Sequence, residues 1–130
     1  MTEQRAYSKA PWEDRVGYCR AVRRGRHVAV SGTAPVGDDG RLVGEGDGYA
    51  QAARCIAIVR AAIEELGGSL SDVVRTRMFV TDVGRWEEYG RAHREAFGAH
   101  PPATTMVEVS ALIDPAMLIE IEADAILSDG

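Results

Sequence analysis

The chain has 130 residues, with 20 acids against 15 lysines and arginines and a formal net charge of −5. That length fits a single domain, residues 1–130, with a core that needs no staples, since about two thirds of the extended surface is buried at this size. The acidic balance excludes the basic footprint that non-specific binding to nucleic acid or an anionic membrane requires.

The elements follow in chain order. Met1–Lys9 is polar, with no apolar segment of a secretory signal, and no run approaches the roughly eighteen apolar residues of a spanning helix. The expectation is a cytoplasmic protein with no membrane partner. Residues 1–13 read as an irregular lead-in containing Pro11 and Trp12. Gly17–Val22 alternates weakly and His27–Ser31 reads as a strand, with Arg24-Gly25 as the turn signal of a β-hairpin between them. Arg20, Arg23, Arg24 and Arg26 around this turn read as a solvated hairpin tip. Gly37-Asp38-Asp39-Gly40 has the residues of a tight turn.

Tyr49–Leu66 keeps apolar residues at helical spacing and stops at Gly67-Gly68. Val73–Val80 is rich in β-branched and aromatic residues and reads as a strand. Asp82–Phe97 is a second helix with Trp86, Tyr89, His93 and Phe97 on one stripe. Pro101-Pro102 separates it from two terminal strands. The order β-β-α-β-α-β-β predicts an α+β sandwich with both helices on one face of a mixed sheet. The uncovered face predicts a homo-oligomer, with a second copy as the cover.

The last strand alternates. Met117, Ile119, Ile121, Ala123 and Ala125 point to the helices, while Glu120, Glu122 and Asp124 point away. A row of acids is ordinarily a solvated edge. A glutamate in a partly desolvated cleft instead has a raised pKa and can serve as general acid or base. On the preceding strand Thr104, Met106 and Glu108 share one face, and Thr105, Val107 and Val109 the other. If these two strands pair antiparallel, Thr104 and Glu120 line the same face away from the helices. A threonine hydroxyl there binds a neutral polar group but cannot grip a carboxylate as a guanidinium does.

Tyr18, read as lying on the first strand, is a core or interface filler or a cleft wall. Ser31-Gly32 ends the second strand, where the glycine allows a turn or the close approach of a ligand. His93 reads as packed or hydrogen-bonded, and His27 and His100 are isolated, so no metal is implied. Cys19 and Cys55 have neither CxxC nor zinc spacing and read as free thiols. No cofactor is implied.

Taken together, several pieces at fixed order and spacing carry a resemblance. They are Gly17-Tyr18 with Ala21-Val22, Val28–Gly32 with Pro35, Leu66–Val74 at the end of the first helix, Phe79–Asp82, Pro102-Ala103 with Val107-Glu108-Val109, and Ile119–Ala123. The chain resembles the Rid (reactive intermediate deaminase) family, also called YjgF-like or L-PSP endoribonuclease, over about residues 16–127. The resemblance implies a chorismate-mutase-like fold, a homotrimer whose sheets line a central barrel, and small-molecule clefts between subunits. In the family's deaminases, enamines or imines are hydrolysed to keto acids and ammonia. Carried onto this chain, Glu120 matches the family's water-activating glutamate, and Tyr18, Ser31 and Gly32 match its cleft walls. Thr104 stands where the family has the arginine that grips the substrate carboxylate. Thr105 and Met106 stand where it has serine and cysteine, and Gly90 where it commonly has asparagine. The loop Leu112–Pro115 is slightly longer. These departures are similar to the family's arginine-lacking subgroups.

Cutting one partner from a cleft ion pair typically costs about 2–5 kcal/mol, roughly thirtyfold to several thousandfold in binding. An imine that carries a carboxylate is therefore expected to be a poor substrate unless another cation, such as Arg20, replaces the arginine. The reading is an enzyme acting on a small neutral enamine or imine, with Glu120 as general base and Tyr18, Ser31, Gly32, Thr104, Thr105 and Met106 around the ligand. The alternatives are a trimer that binds a metabolite or protein without chemistry and, less favoured by the acidic charge, a ribonuclease.

Overall fold

In the computed structural model, which describes residues 3–8 and 10–128, a six-stranded mixed sheet carries two long helices on one face. The strands are β1 Glu3–Ala6, β2 Ala21–Arg24, β3 His27–Thr33, β4 Val73–Val80, β5 Ala103–Glu108 and β6 Ile119–Ile126. The helices are α1 Trp12–Val16, α2 Gly48–Glu65 and α3 Trp86–Phe97. The spatial order is β1-β2-β3-β6-β4-β5, with β4 and β5 parallel and the other neighbours antiparallel.

The lead-in is ordered rather than irregular. Glu3–Ala6 pairs with β2, and Ala6, at 1% exposure, is the one residue of β1 turned into the core. Pro11, with its φ at −67°, opens α1, and Gly17 closes it at φ 92°, where a side chain would be strained. The chain is irregular from there to Ala21, so Tyr18 lies in a connection and not on a strand. The β2–β3 hairpin forms as expected. Arg24 pairs with His27, and Gly25 at φ 59° takes the positive φ of a two-residue turn.

α2 starts at Asp47, whose side chain accepts a hydrogen bond from the Ala50 N–H at 3.0 Å. It buries Ala52, Cys55, Ile56, Val59, Ala62 and Ile63 against β3, β6 and α3. Gln51 on the same helix is fully buried. Its Nε2 donates to Gly44 O and Ala116 O, both at 3.1 Å, and its Oε1 accepts from Leu118 N–H at 2.8 Å. This amide clips the loop before β6 to the helix and so fixes where β6 begins.

The second helix begins later than its sequence pattern suggests. Asp82 caps a 3-10 turn, Val83–Arg85, and the α-helix starts at Trp86. Tyr89 and Phe97 are buried and His93 is half-buried, but Trp86, the first residue of α3, is 56% exposed.

β5 and β6 do not pair, which corrects the conditional pairing that put Thr104 beside Glu120. β4 lies between them. The β4–α3–β5 connection is a strand–helix–strand crossover, the kind of link that lets neighbours run parallel. Thr104 pairs with Thr76, which faces the helices, so Thr104 and Met106 lie on the helix side of the sheet and Thr105 lies on the side of Glu120. Among the described residues no helix is long and apolar enough to cross a membrane.

Cys19 and Cys55 are both free thiols. Burial under α2 pushes the Cys55 thiol far up, out of the reactive range, whereas Cys19 is half-buried in the connection after α1. A thiol reagent at pH 8 should label one equivalent in the folded protein and a second only on unfolding. Rapid double labelling of folded protein would contradict this packing.

Candidate functional site

The acidic row of β6 divides into two kinds of residue. Arg77 on β4 reaches Glu122 at 3.2 Å and Asp124 at 3.3 Å, and His27 Nε2 lies 3.6 Å from Asp124. Glu120 has no such partner among the described residues. It pairs across β6–β4 with Phe79 and packs on its other side against Gly32. Burial raises its pKa, the nearby charge of Arg20 lowers it, and Glu122 adds a smaller upward push. No hydrogen bond from a described residue is among the influences on it.

Gly32 sits where the β3–β6 register shifts between Val30 and Thr33, a bulge. A Cβ on Gly32 would overlap Glu120 Oε2. The glycine thus gives the carboxylate room to lie in its present place. Ser31, in the same bulge, donates its hydroxyl to Cys19 O at 2.8 Å, and its N–H donates to Arg20 O at 2.9 Å. That hydroxyl is thus engaged with the chain.

Arg20 is the feature that the sequence does not announce. It is 3% exposed, not part of a solvated tip. Its Nε donates to Glu13 Oε2 at 3.2 Å, and its Nη1 donates to Gly32 O at 2.7 Å and Thr33 Oγ1 at 2.9 Å. Its Nη2 donates to the Tyr18 hydroxyl at 3.4 Å, with the guanidinium carbon 5.5 Å from that ring's centre. Glu13, equally buried, accepts from the Ser8 N–H at 3.0 Å and from the Ser8 hydroxyl. One Nη2 hydrogen remains, so Arg20 cannot give a carboxylate the two-pronged grip of a free guanidinium. The signal that would have found Glu13 is local: Pro11 before Trp12 and Gly17 after Val16 bracket a short helix.

Tyr18, Arg20, Ser31, Gly32 and Glu120 line one cleft of about 810 Å³, with Val16, Ile58 and Ile113 as apolar wall. That volume suits a small molecule. Thr104, Thr105 and Met106 do not line it. They lie on β5, at the open edge of the sheet, with Thr104 and Thr105 exposed. Within one chain, the residues singled out from the sequence thus form two separate groups. Among the described residues no three His, Cys, Asp or Glu side chains converge as metal ligands.

Comparison with known proteins gives the same frame. A model of the family described as Endoribonuclease L-PSP matches residues 8–127. An uncharacterized protein of Streptomyces coelicolor is 37% identical over 122 residues, 94% of this chain and 90% of that one. A RutC family protein of Pyrococcus abyssi is 34% identical over 108 residues, 83% of this chain and 84% of its own. Among solved structures, a member of the YjgF/YER057c/UK114 family from Mycobacterium tuberculosis superposes with a TM-score of 0.87 at 44% identity, covering 97% of this chain and all 100% of that one. The YjgF gene product of Escherichia coli gives a TM-score of 0.82 at 30% identity, covering 96% and 98%. The six-stranded mixed sheet with its helices is the chorismate-mutase-like α+β fold of these relatives. The chain belongs to the Endoribonuclease L-PSP family, whose members also carry the names YjgF and Rid.

Proposed function

We propose that the protein binds a small neutral metabolite in a cleft completed by a second copy of the chain, and that Glu120 acts there as general base on an imine or enamine. The observation that carries this reading is the Glu120 carboxylate. It is half-buried, unpaired by Arg77, raised in pKa by desolvation and set on the wall of a cleft of small-molecule size. A carboxylate in that condition can take a proton from water as the oxygen adds to the C=N carbon. It returns that proton to nitrogen to give the carbinolamine, then takes the carbinolamine hydroxyl proton and passes it to nitrogen as the C–N bond breaks, leaving a carbonyl compound and ammonia. Moving one proton between carbon and nitrogen without water gives tautomerisation instead.

The second copy is supported by the two separate groups of site residues. A homotrimer, with the sheets facing inward, brings the β5 edge bearing Thr104, Thr105 and Met106 to the Glu120 cleft of its neighbour. The sheet face away from the helices, with Phe79 and the 42%-exposed Val107, supports being covered in this way. The committed donors of Arg20 support a ligand without a carboxylate. A cytoplasmic setting goes with two free thiols. A second reading, a binding trimer without chemistry, draws on one observation: no described donor orients the Glu120 carboxylate.

Glu120→Gln separates the two readings. Turnover of the imine of an amino-acid amide, followed by ammonia release, should fall by about 10²–10⁴ while light scattering still gives the trimer. Turnover equal to wild type would remove the base role. The same substitution tests the electrostatics. A carboxyl whose pKa is raised on folding favours the folded state when protonated, so its contribution is full below the unfolded value of 4.5 and is lost as pH rises through the raised one. Glu120→Gln should therefore melt higher than wild type at pH 7, with the gap closing at pH 4. In a third test, Thr104→Arg should raise turnover of the carboxylate-bearing imine by thirtyfold or more, on the order of one restored ion pair. A folded trimer with no gain would mean that the cleft has changed beyond that position.

A further inference from the structure

On the helix side of the sheet, three side chains from three elements form an unbroken polar line. Thr76, fully buried on β4, donates from Oγ1 to Thr104 Oγ1 on β5 at 2.7 Å. The same Thr76 oxygen lies 2.8 Å from His93 Nε2 on α3. A hydroxyl has one proton and two lone pairs. Having given its proton to Thr104, Thr76 can only accept from the imidazole, so His93 carries a proton on Nε2. Thr104 then needs no proton for the line, and its own O–H is free to point outward from the exposed β5 edge. Each bond polarises the next, which sharpens Thr104 as a donor.

We propose that His93, Thr76 and Thr104 form a relay that fixes Thr104 as an outward hydrogen-bond donor, and that the ligand group it recognises is a neutral acceptor, a carbonyl or amide oxygen. The ligand half of this rests on the reading that the β5 edge meets the Glu120 cleft of a neighbouring copy. His93 and Thr76 are positioning residues. The reverse line, running from Thr104 through Thr76 to a bare Nε2, would leave Thr104 an acceptor and select a donor ligand instead. The donation from Thr76 to Thr104 selects the first sense, and either sense needs a neutral His93. Its ring packs at 4.6 Å on Phe97, and burial, the one influence on it, lowers its pKa, so the imidazole is neutral at pH 7. A further proton would enter at Nδ1 and leave the Nε2–H bond to Thr76 in place.

Two measurements on the intact protein test this. Long-range nitrogen–proton NMR reads the His93 tautomer directly. Nε2–H is expected in wild type and in Thr76→Ser, and Nδ1–H in wild type would overturn the relay, whatever the fate of any variant. Chemical-shift titration then uses two named probes, pyruvamide and pyruvate. Pyruvamide is expected to bind better. Thr76→Val, which keeps the shape and removes the hydroxyl, should weaken it about fivefold, the worth of one ordinary hydrogen bond, and Thr76→Ser should restore it. Preference for pyruvate, no pyruvamide binding, or unchanged affinity in a folded Thr76→Val protein would overturn the ligand assignment. A Glu120→Gln protein with full turnover would refute the base role of Glu120 and leave the His93 tautomer untouched, so the two failures are distinguishable.

Discussion

The Arg20 guanidinium is gripped by groups from three stretches of the chain: Glu13 on α1, Tyr18 in the connection after it, and Gly32 with Thr33 in the β3 bulge. None of these stretches has much apolar surface with which to hold itself in place. Breaking a buried pair by removing one partner typically costs about 3–5 kcal/mol, because a charge is left stranded. This pair is also hydrogen-bonded on both sides, with Ser8 serving the carboxylate. One ion pair thus ties α1, the connection after it and the β3 bulge together. Glu120 faces that arrangement from the next strand and feels the Arg20 charge without bonding to it.

What was legible in the sequence follows from what is periodic. Tyr49–Leu66, Val73–Val80 and the apolar row of β6 carry strong patterns and form the core, where Ile119, Ile121, Val59 and Val80 are essentially sealed. Alternation gives the face of a side chain within its own strand. It does not give the neighbouring strand, so no pattern within β5 or β6 tells that β4 lies between Thr104 and Glu120. The lead-in was harder to read for a different reason. β1 turns only Ala6 inward, and although Pro11 and Gly17 mark the ends of α1 locally, the contact of Glu13 with Arg20 that holds it is encoded by no local pattern.

The site was half legible. Glu120, Glu122 and Asp124 are equivalent as a pattern, and what distinguishes them is Arg77 on the adjacent strand, whose reach covers two of the three. The arginines near the hairpin differ in the same way. Arg24 is largely exposed, with an ion pair to Glu3, while Arg20 is buried. Composition treats them alike, and depth in the fold separates them.

Gly32 and Glu120 occupy one volume between them, and this makes them a single heritable unit rather than two sites. Any side chain at position 32 forces the carboxylate end to shift, and any shorter residue at 120 leaves the glycine facing space that a methyl group can fill. Drift at either position therefore opens the way for drift at the other. A relative that carries a larger residue at 32 must hold any carboxylate at 120 in a different position. The pair thus offers a way to sort members of the family by whether the slot still exists, using two positions on neighbouring strands and no knowledge of what they bind.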